Sequence, residues 1–274
     1  MGRFDDVLIV SDIDGTFLGK KSRVVPENVE AIEYFKSQGG HFTIATGRME
    51  VDLRLIPLDL AALVNAPVII ANGACMYDLS KQTPILADYI DAKRLTEAAQ
   101  FIRERFPEIG MRVSSVRGFL TDMITPHLKL DFIGDVMETV EVKPISEWCG
   151  KCDDWYKMVI RGESDDLDLV RAAVEERFGD AFDYCKSGAK YYELLGRGCG
   201  KARMLTRLRE HLEGEMGRRL TVYACGDYEN DLSMLAAADV AACPDNATDA
   251  VKSLCRMTLC DHDEGFIADL IRHI

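Results

Sequence analysis

The feature that most constrains this chain is a recurrence: short apolar runs that each stop at a small cluster of polar residues and glycine. Residues 7–10 (Val7, Leu8, Ile9, Val10) run into Asp12-Ile13-Asp14-Gly15-Thr16, residues 42–45 into Thr46-Gly47-Arg48, and residues 68–71 into Asn72-Gly73. Between them lie segments of helical spacing. Pro26 suits a first helical turn, and Val29, Ile32 and Phe35 follow three apart until Gly39-Gly40. Residues 51–63 read as a second helix. Alternating strands and helices predict a parallel sheet covered on its faces, an α/β, Rossmann-like doubly wound core. In such sheets ligands collect beyond the carboxyl ends of strands, where these polar clusters fall.

From about residue 83 the pattern changes. Strand candidates at 85–90, 110–116, 119–124, 155–160 and 182–185 alternate with two helices. One spans 92–106, with Leu95, Ala98, Ala99, Ile102 and Phe106 on one face. The other spans 166–178, with Leu169, Val170, Ala173, Val174 and Phe178. The close pair 110–116 and 119–124 suggests a hairpin. Residues 83–190 are therefore expected to form an inserted α+β domain, dividing the core into 1–82 and 191–274. After 191 the alternation resumes with a helix over 199–213 and a strand over 220–225. That strand ends at Gly226-Asp227-Tyr228-Glu229-Asn230-Asp231. A short strand at 240–242 and helices at 246–253 and 264–272 complete the chain.

Asp12 and Asp14 lie one residue apart at the end of a predicted strand. Where extended backbone continues to position 14, both carboxylates address one ligand. Two carboxylates that close need a cation, a shared proton or different roles. Asp227 and Asp231 add two more, with no His or Cys beside them. An all-oxygen set of this kind suits a hard ion such as Mg²⁺ and not zinc. Glycines at the strand ends allow backbone N–H groups to approach a phosphate, and Lys201 offers it a positive charge.

The four clusters, Asp12-Ile13-Asp14-Gly15-Thr16, Thr46-Gly47-Arg48, Lys201 and Gly226-Asp227-Tyr228-Glu229-Asn230-Asp231, resemble in order and spacing the four motifs of the haloacid dehalogenase superfamily. The resemblance is to its Cof-type phosphatases, which carry a type IIB cap domain between the second and third motifs. Asn72-Gly73-Ala74, Asn246-Ala247 and Asp263-Glu264-Gly265 also resemble that subgroup. The resemblance implies an Mg²⁺-dependent phosphatase of a small phosphorylated metabolite, such as a sugar phosphate or a cofactor phosphate. Asp12 would be the nucleophile that forms an aspartyl-phosphate, and Asp14 the group that moves protons. Mg²⁺ would be held by the Asp12 carboxylate, the Asp14 backbone carbonyl and Asp227, with Asp231 in support. Thr46, Gly47, Lys201 and Asn230 would hold the phosphoryl oxygens. Arg48 would either join them toward the substrate or pair with a core carboxylate. The alternatives are a phosphomannomutase-like phosphomutase and a non-catalytic binding homologue. Gly200 and Ala202 depart from the Ser and Gly usual beside the third-motif lysine.

Other patterns carry less. Gly196-Arg197-Gly198-Cys199-Gly200-Lys201 lacks the glycine spacing and the final Ser or Thr of a P-loop. The histidines at 41, 127, 211, 262 and 273 are dispersed and read as surface or helix-end residues, with His127 a possible substrate contact. Residues 261–264 read as the acidic first turn of the last helix. Arg112, Arg117, Lys157 and Lys186 are the cations of the inserted region that would meet an acidic ligand. Cys149-Gly150-Lys151-Cys152 is the one CxxC among nine cysteines, without the second pair a zinc site needs.

A net charge of -13 argues against nucleic-acid and anionic-membrane partners. No apolar run approaches the roughly 20 residues that span a bilayer. A cytoplasmic monomer or homodimer is expected.

Overall fold

The computed structural model describes residues 2–148 and 154–274, so Cys149 and Cys152 lie outside the described residues. Its strands, in chain order, are β1 (Val7–Ser11), β2 (His41–Ile44), β3 (Val68–Ile70), β4 (Cys75–Asp78), β5 (Thr83–Ala87), β6 (Gly110–Ser115), β7 (Gly118–Thr121), β8 (Val140–Val142), β9 (Trp155–Arg161), β10 (Phe182–Gly188), β11 (Tyr191–Gly196), β12 (Thr221–Cys225), β13 (Val240–Pro244) and β14 (Met257–Leu259). The described residues form two compact units. One runs to Leu86 and resumes over Gly200–Ile274; the other is Ala87–Cys199.

The first unit is built on a parallel sheet of order β14-β13-β12-β1-β2. A bridge between Ala45 and Ile69 attaches a second sheet, β3-β4-β5, beside β2. The chain winds outward from β1 to β2 in one direction and from β12 to β14 in the other, so the switch point lies between β1 and β12. All of β1 from Leu8 onward is buried, as expected of a strand covered on both faces. Leu8 and Val10 point into a core shared with Met204, Leu205, Leu208 and Leu212 of the helix Lys201–Met216. Ile9 alternates to the opposite face. The helices Pro26–Ser37 and Phe266–His273 pack against each other, and the Asn28 side chain accepts from the backbone N of Ala268 at 3.0 Å.

The segment read as one helix over 51–63 is two single turns, Glu50–Leu53 and Leu60–Leu63. Pro57 lies between them; it has no N–H to give and disfavours helical backbone before it. The second turn is then capped afresh by Asp59, whose side chain accepts from Ala62 N at 3.1 Å. The strands β4, β8 and β14 were not anticipated, being only three or four residues long.

The second unit is a six-stranded sheet of order β10-β11-β9-β6-β7-β8, antiparallel except for the β7–β8 pair. The helices Ala92–Arg105 and Ser164–Phe178 bury their apolar faces in its core with Met111, Val113, Met158 and Ile160. In the second helix Val170 and Val174 lie on the buried face as expected, but Leu167 completes it in place of Leu169, which is exposed. The expected return to the first region at 191 also moves. Tyr191–Gly196 is hydrogen bonded between β10 and β9, so this strand belongs to the second unit. No helix among the described residues is long and apolar enough to cross a membrane.

Candidate active site

The polar clusters of the first unit converge at the carboxyl ends of β1, β2 and β12. Asp12 continues the β1 ladder, its N–H donating to the Cys225 carbonyl at 2.9 Å, which fixes the carboxylate at the switch point. Beyond it the chain leaves the extended form, since the Ile13 carbonyl accepts from the N–H groups of Phe17 and Leu18. Gly15 has φ +84°, and a Cβ there would stand 2.4 Å from Asp227 Oδ2. Glycine is required for both reasons: the left-handed backbone and the close approach of Asp227. Thr16 Oγ1 then donates to Asp227 Oδ1 at 2.9 Å.

Asp12, Asp227 and Asp231 bring carboxylate oxygens within 4.8 Å of one another. Lys201 Nζ donates to Asp12 Oδ1 and to Asp231 Oδ1, each at 2.6 Å, and is fully buried between them. The other oxygen of Asp231 accepts from the N–H groups of Asp227 and Tyr228 at 3.1 and 3.3 Å. Two of the three carboxylates thus bond the one ammonium. Burial pushes the Asp12 carboxyl well above the usual carboxylate range; Lys201 pulls it down, while Asp231, Asp227 and Asp14 push it further up. Asp227 is pushed up to about 6 by burial and by the Asp231 charge. Burial alone would lower Lys201, but Asp12 and Asp231 more than reverse this and hold it protonated. The surplus negative charge and the all-oxygen donor set fit a hard divalent cation such as Mg²⁺.

Asp14 is not part of this cluster. Its half-exposed carboxylate pairs with Arg48 through both oxygens, at 2.6 and 2.8 Å. Of the two roles expected for Arg48, the structure favours pairing with a carboxylate. Thr46 is buried; its hydroxyl accepts from Arg48 N at 3.1 Å, and its carbonyl accepts from Asn72 N at 2.9 Å. Gly47 lies against the Asn72 side chain. Asn230 Nδ2 donates to Asn72 Oδ1 at 3.2 Å. Asn72 thus joins two of the predicted clusters, and its role was missed; the Asn-Gly pair at the end of β3 was the available signal. Asn246 also braces the site, donating to the Gly15 carbonyl at 2.8 Å and accepting from His262 N at 3.1 Å.

Several secondary expectations change. His262 is buried, not a surface residue, with Nδ1 2.8 Å from the Leu18 carbonyl. Residues 262–264 form a separate 3-10 turn before Gly265 and the helix Phe266–His273, and Asp263 pairs with Lys20 and Arg23. In the second unit, Arg112 faces Asp131 at 3.5 Å, Arg117 pairs with Asp154 at 3.1 Å, and Lys157 is buried against Glu193 at 2.6 Å. These cations already have acidic partners.

A protein-family model described as haloacid dehalogenase-like hydrolase matches residues 9–271. A 5-amino-6-(5-phospho-D-ribitylamino)uracil phosphatase of Bacillus subtilis is 29% identical, the alignment covering 96% of each chain. A pyridoxal phosphate phosphatase of Escherichia coli is 25% identical over 96% of this chain and 97% of that protein. The crystal structure of a haloacid dehalogenase-like hydrolase from Bacteroides thetaiotaomicron has a TM-score of 0.79 at 20% identity, covering 97% of this chain and 98% of the other.

Proposed function

This chain belongs to the haloacid dehalogenase-like hydrolase family, and from that premise we propose that it cleaves a small phosphorylated metabolite with Mg²⁺ through an aspartyl-phosphate on Asp12. It is a phosphatase, a phosphoric monoester hydrolase. The observation that carries the finer reading is the buried cluster of Asp12, Asp227 and Asp231 with Lys201 bonded to two of them.

The Asp12 carboxylate attacks phosphorus while the bond to the ester oxygen breaks, and that oxygen takes a proton from Asp14. Asp14 then removes a proton from water, which attacks phosphorus and frees the Asp12 carboxylate and inorganic phosphate. Thr46, the Gly47 N–H, Lys201 and Asn230 hold the phosphoryl oxygens, and this positioning supplies most of the rate. Asp12, Asp227, the Asp14 carbonyl and Asp231 would hold Mg²⁺. When bound, the cation cancels the surplus negative charge so that a phosphate can approach the carboxylates. Two of the relatives are phosphatases of 5-amino-6-(5-phospho-D-ribitylamino)uracil and of pyridoxal phosphate, which supports a small phosphorylated substrate. By the family resemblance, the unit Ala87–Cys199 is the candidate cap that selects it.

A phosphate-release screen over sugar phosphates, nucleotides and cofactor phosphates tests this function. Release with Mg²⁺ that stops with EDTA is expected. An isomerised phosphate ester with little free phosphate would point to a phosphomutase instead.

A further inference from the structure

We propose that Asn72 is a positioning residue, whose side chain and left-handed backbone set the spacing between the groups that hold the phosphoryl oxygens. The proposal rests on the reading above that Thr46, Gly47, Lys201 and Asn230 are those groups.

The turn 71–73 is unusual in its backbone. Ala71, Asn72 and Gly73 have φ of 53°, 56° and 94°. Consecutive left-handed residues that carry a Cβ are uncommon; asparagine tolerates the region and alanine does not favour it. Such a conformation persists only where its surroundings hold it. Here several of the holding contacts go to the candidate site. Ala71 N donates to the Arg48 carbonyl at 3.0 Å and Asn72 N to the Thr46 carbonyl at 2.9 Å. A Cβ on Gly47 would stand 3.0 Å from Asn72 Nδ2, so the carboxamide lies flat against the Gly47 backbone. Asn72 Oδ1 accepts from Asn230 Nδ2 at 3.2 Å. A Cβ on Gly73 would stand 2.2 Å from the Gly200 carbonyl carbon and 2.5 Å from Lys201 N, so the turn also presses on the start of the helix that carries Lys201.

One buried side chain therefore touches two of the clusters, and its own turn reaches the third. The bond from Asn230 gives the effect a direction. It uses one N–H of the Asn230 carboxamide and leaves the other to address a ligand, with its orientation fixed. Asn72 acts through Asn230 and Gly47, and its effect is strongest where geometry matters most, on the transferring phosphoryl group.

The test uses orthovanadate, a stand-in for the transferring group, and inorganic phosphate as probes. Binding of each with Mg²⁺ is measured by calorimetry for the wild type, Asn72→Gly, Asn230→Ala and the double variant. Asn72→Gly keeps the left-handed backbone without steric cost while removing the carboxamide. It is expected to weaken vanadate binding about tenfold and phosphate binding about threefold or less. The double variant is expected to bind vanadate more weakly than Asn230→Ala alone, but by less than the Asn72→Gly factor, because only the contact with Gly47 is left to lose. Wild-type vanadate affinity in Asn72→Gly, equal weakening of both probes, or independent effects that multiply in the double variant would overturn the role of Asn72 alone. Failure of the wild type to bind either probe would overturn the site reading beneath it as well.

Discussion

The Arg48 guanidinium grips both carboxylate oxygens of Asp14, Nη2 to Oδ1 at 2.6 Å and Nε to Oδ2 at 2.8 Å. A bidentate pair of this kind fixes orientation as well as charge. Arg48 is itself partly buried and reaches the Asp52 carbonyl and Ser22 Oγ at 3.4 Å, so the clamp is anchored. Asp14 is aimed by a residue 34 positions away.

Removing the clamp should therefore matter in proportion to the need for a proton. Arg48→Ala is expected to slow phosphoryl transfer from alkyl phosphates about tenfold or more, because their leaving oxygen depends on general acid help. Transfer from p-nitrophenyl phosphate, whose leaving group departs without a proton, should change about threefold or less. Burst kinetics read the first step directly. Equal losses with both substrates would mean that Arg48 serves binding and not Asp14.

Lys201 compensates two carboxylates in a fully buried setting. Lys201→Met leaves those charges uncompensated, and stability should fall by about 3–5 kcal/mol, the range for breaking one partner out of a buried ion pair. Mg²⁺ should restore part of the loss, since it neutralises the same groups. Denaturant unfolding with EDTA and with Mg²⁺ measures both terms, and an unchanged midpoint would contradict the geometry.

The raised carboxyls make the metal-free protein sensitive to pH. Asp227 titrates at about 6 when folded, against an ordinary 3.8, and Asp12 is also raised. Between those values the folded chain binds more protons than the unfolded chain, so stability falls as pH rises through that window. The metal-free protein should melt several degrees lower at pH 8 than at pH 5. Mg²⁺ should shrink or reverse that difference, and its affinity should weaken on acidification through about 6. Thermal melts at the two pH values, with and without the ion, decide the sign.

The parts of the fold visible in the sequence were those with local cause. Apolar runs ending in Asp12, Thr46 and Asp227 marked the central strands and their carboxyl ends, because a buried parallel strand must be apolar and must stop at polar residues. Signals that depend on partners far along the chain were silent. Arg48 had two expected roles, a core carboxylate or the substrate, and nothing local named Asp14 as its partner; Tyr191–Gly196 looked like the return to the core until its partners β9 and β10 were known. Pro57 was a local signal that the apolar spacing of 51–63 overrode. Leu167 and Leu169 both fit a helical stripe, and only packing against the sheet selects Leu167. Asn72 was visible as a turn residue, but its bond to Asn230, 158 positions away, was not.

Phosphorus is expected to pass through Asp12, and trapping the phospho-enzyme reads that step. The protein with Mg²⁺ and a substrate it turns over is quenched in acid, digested and read by mass spectrometry, alongside Asp14→Asn and Asp12→Asn. A hydroxylamine-labile phosphoryl group is expected on Asp12, accumulating in Asp14→Asn with p-nitrophenyl phosphate, whose leaving group needs no proton while water is no longer activated, and absent with no turnover in Asp12→Asn. Phosphate release at the wild-type rate by Asp12→Asn, or a phosphoryl group on any other residue, would contradict it.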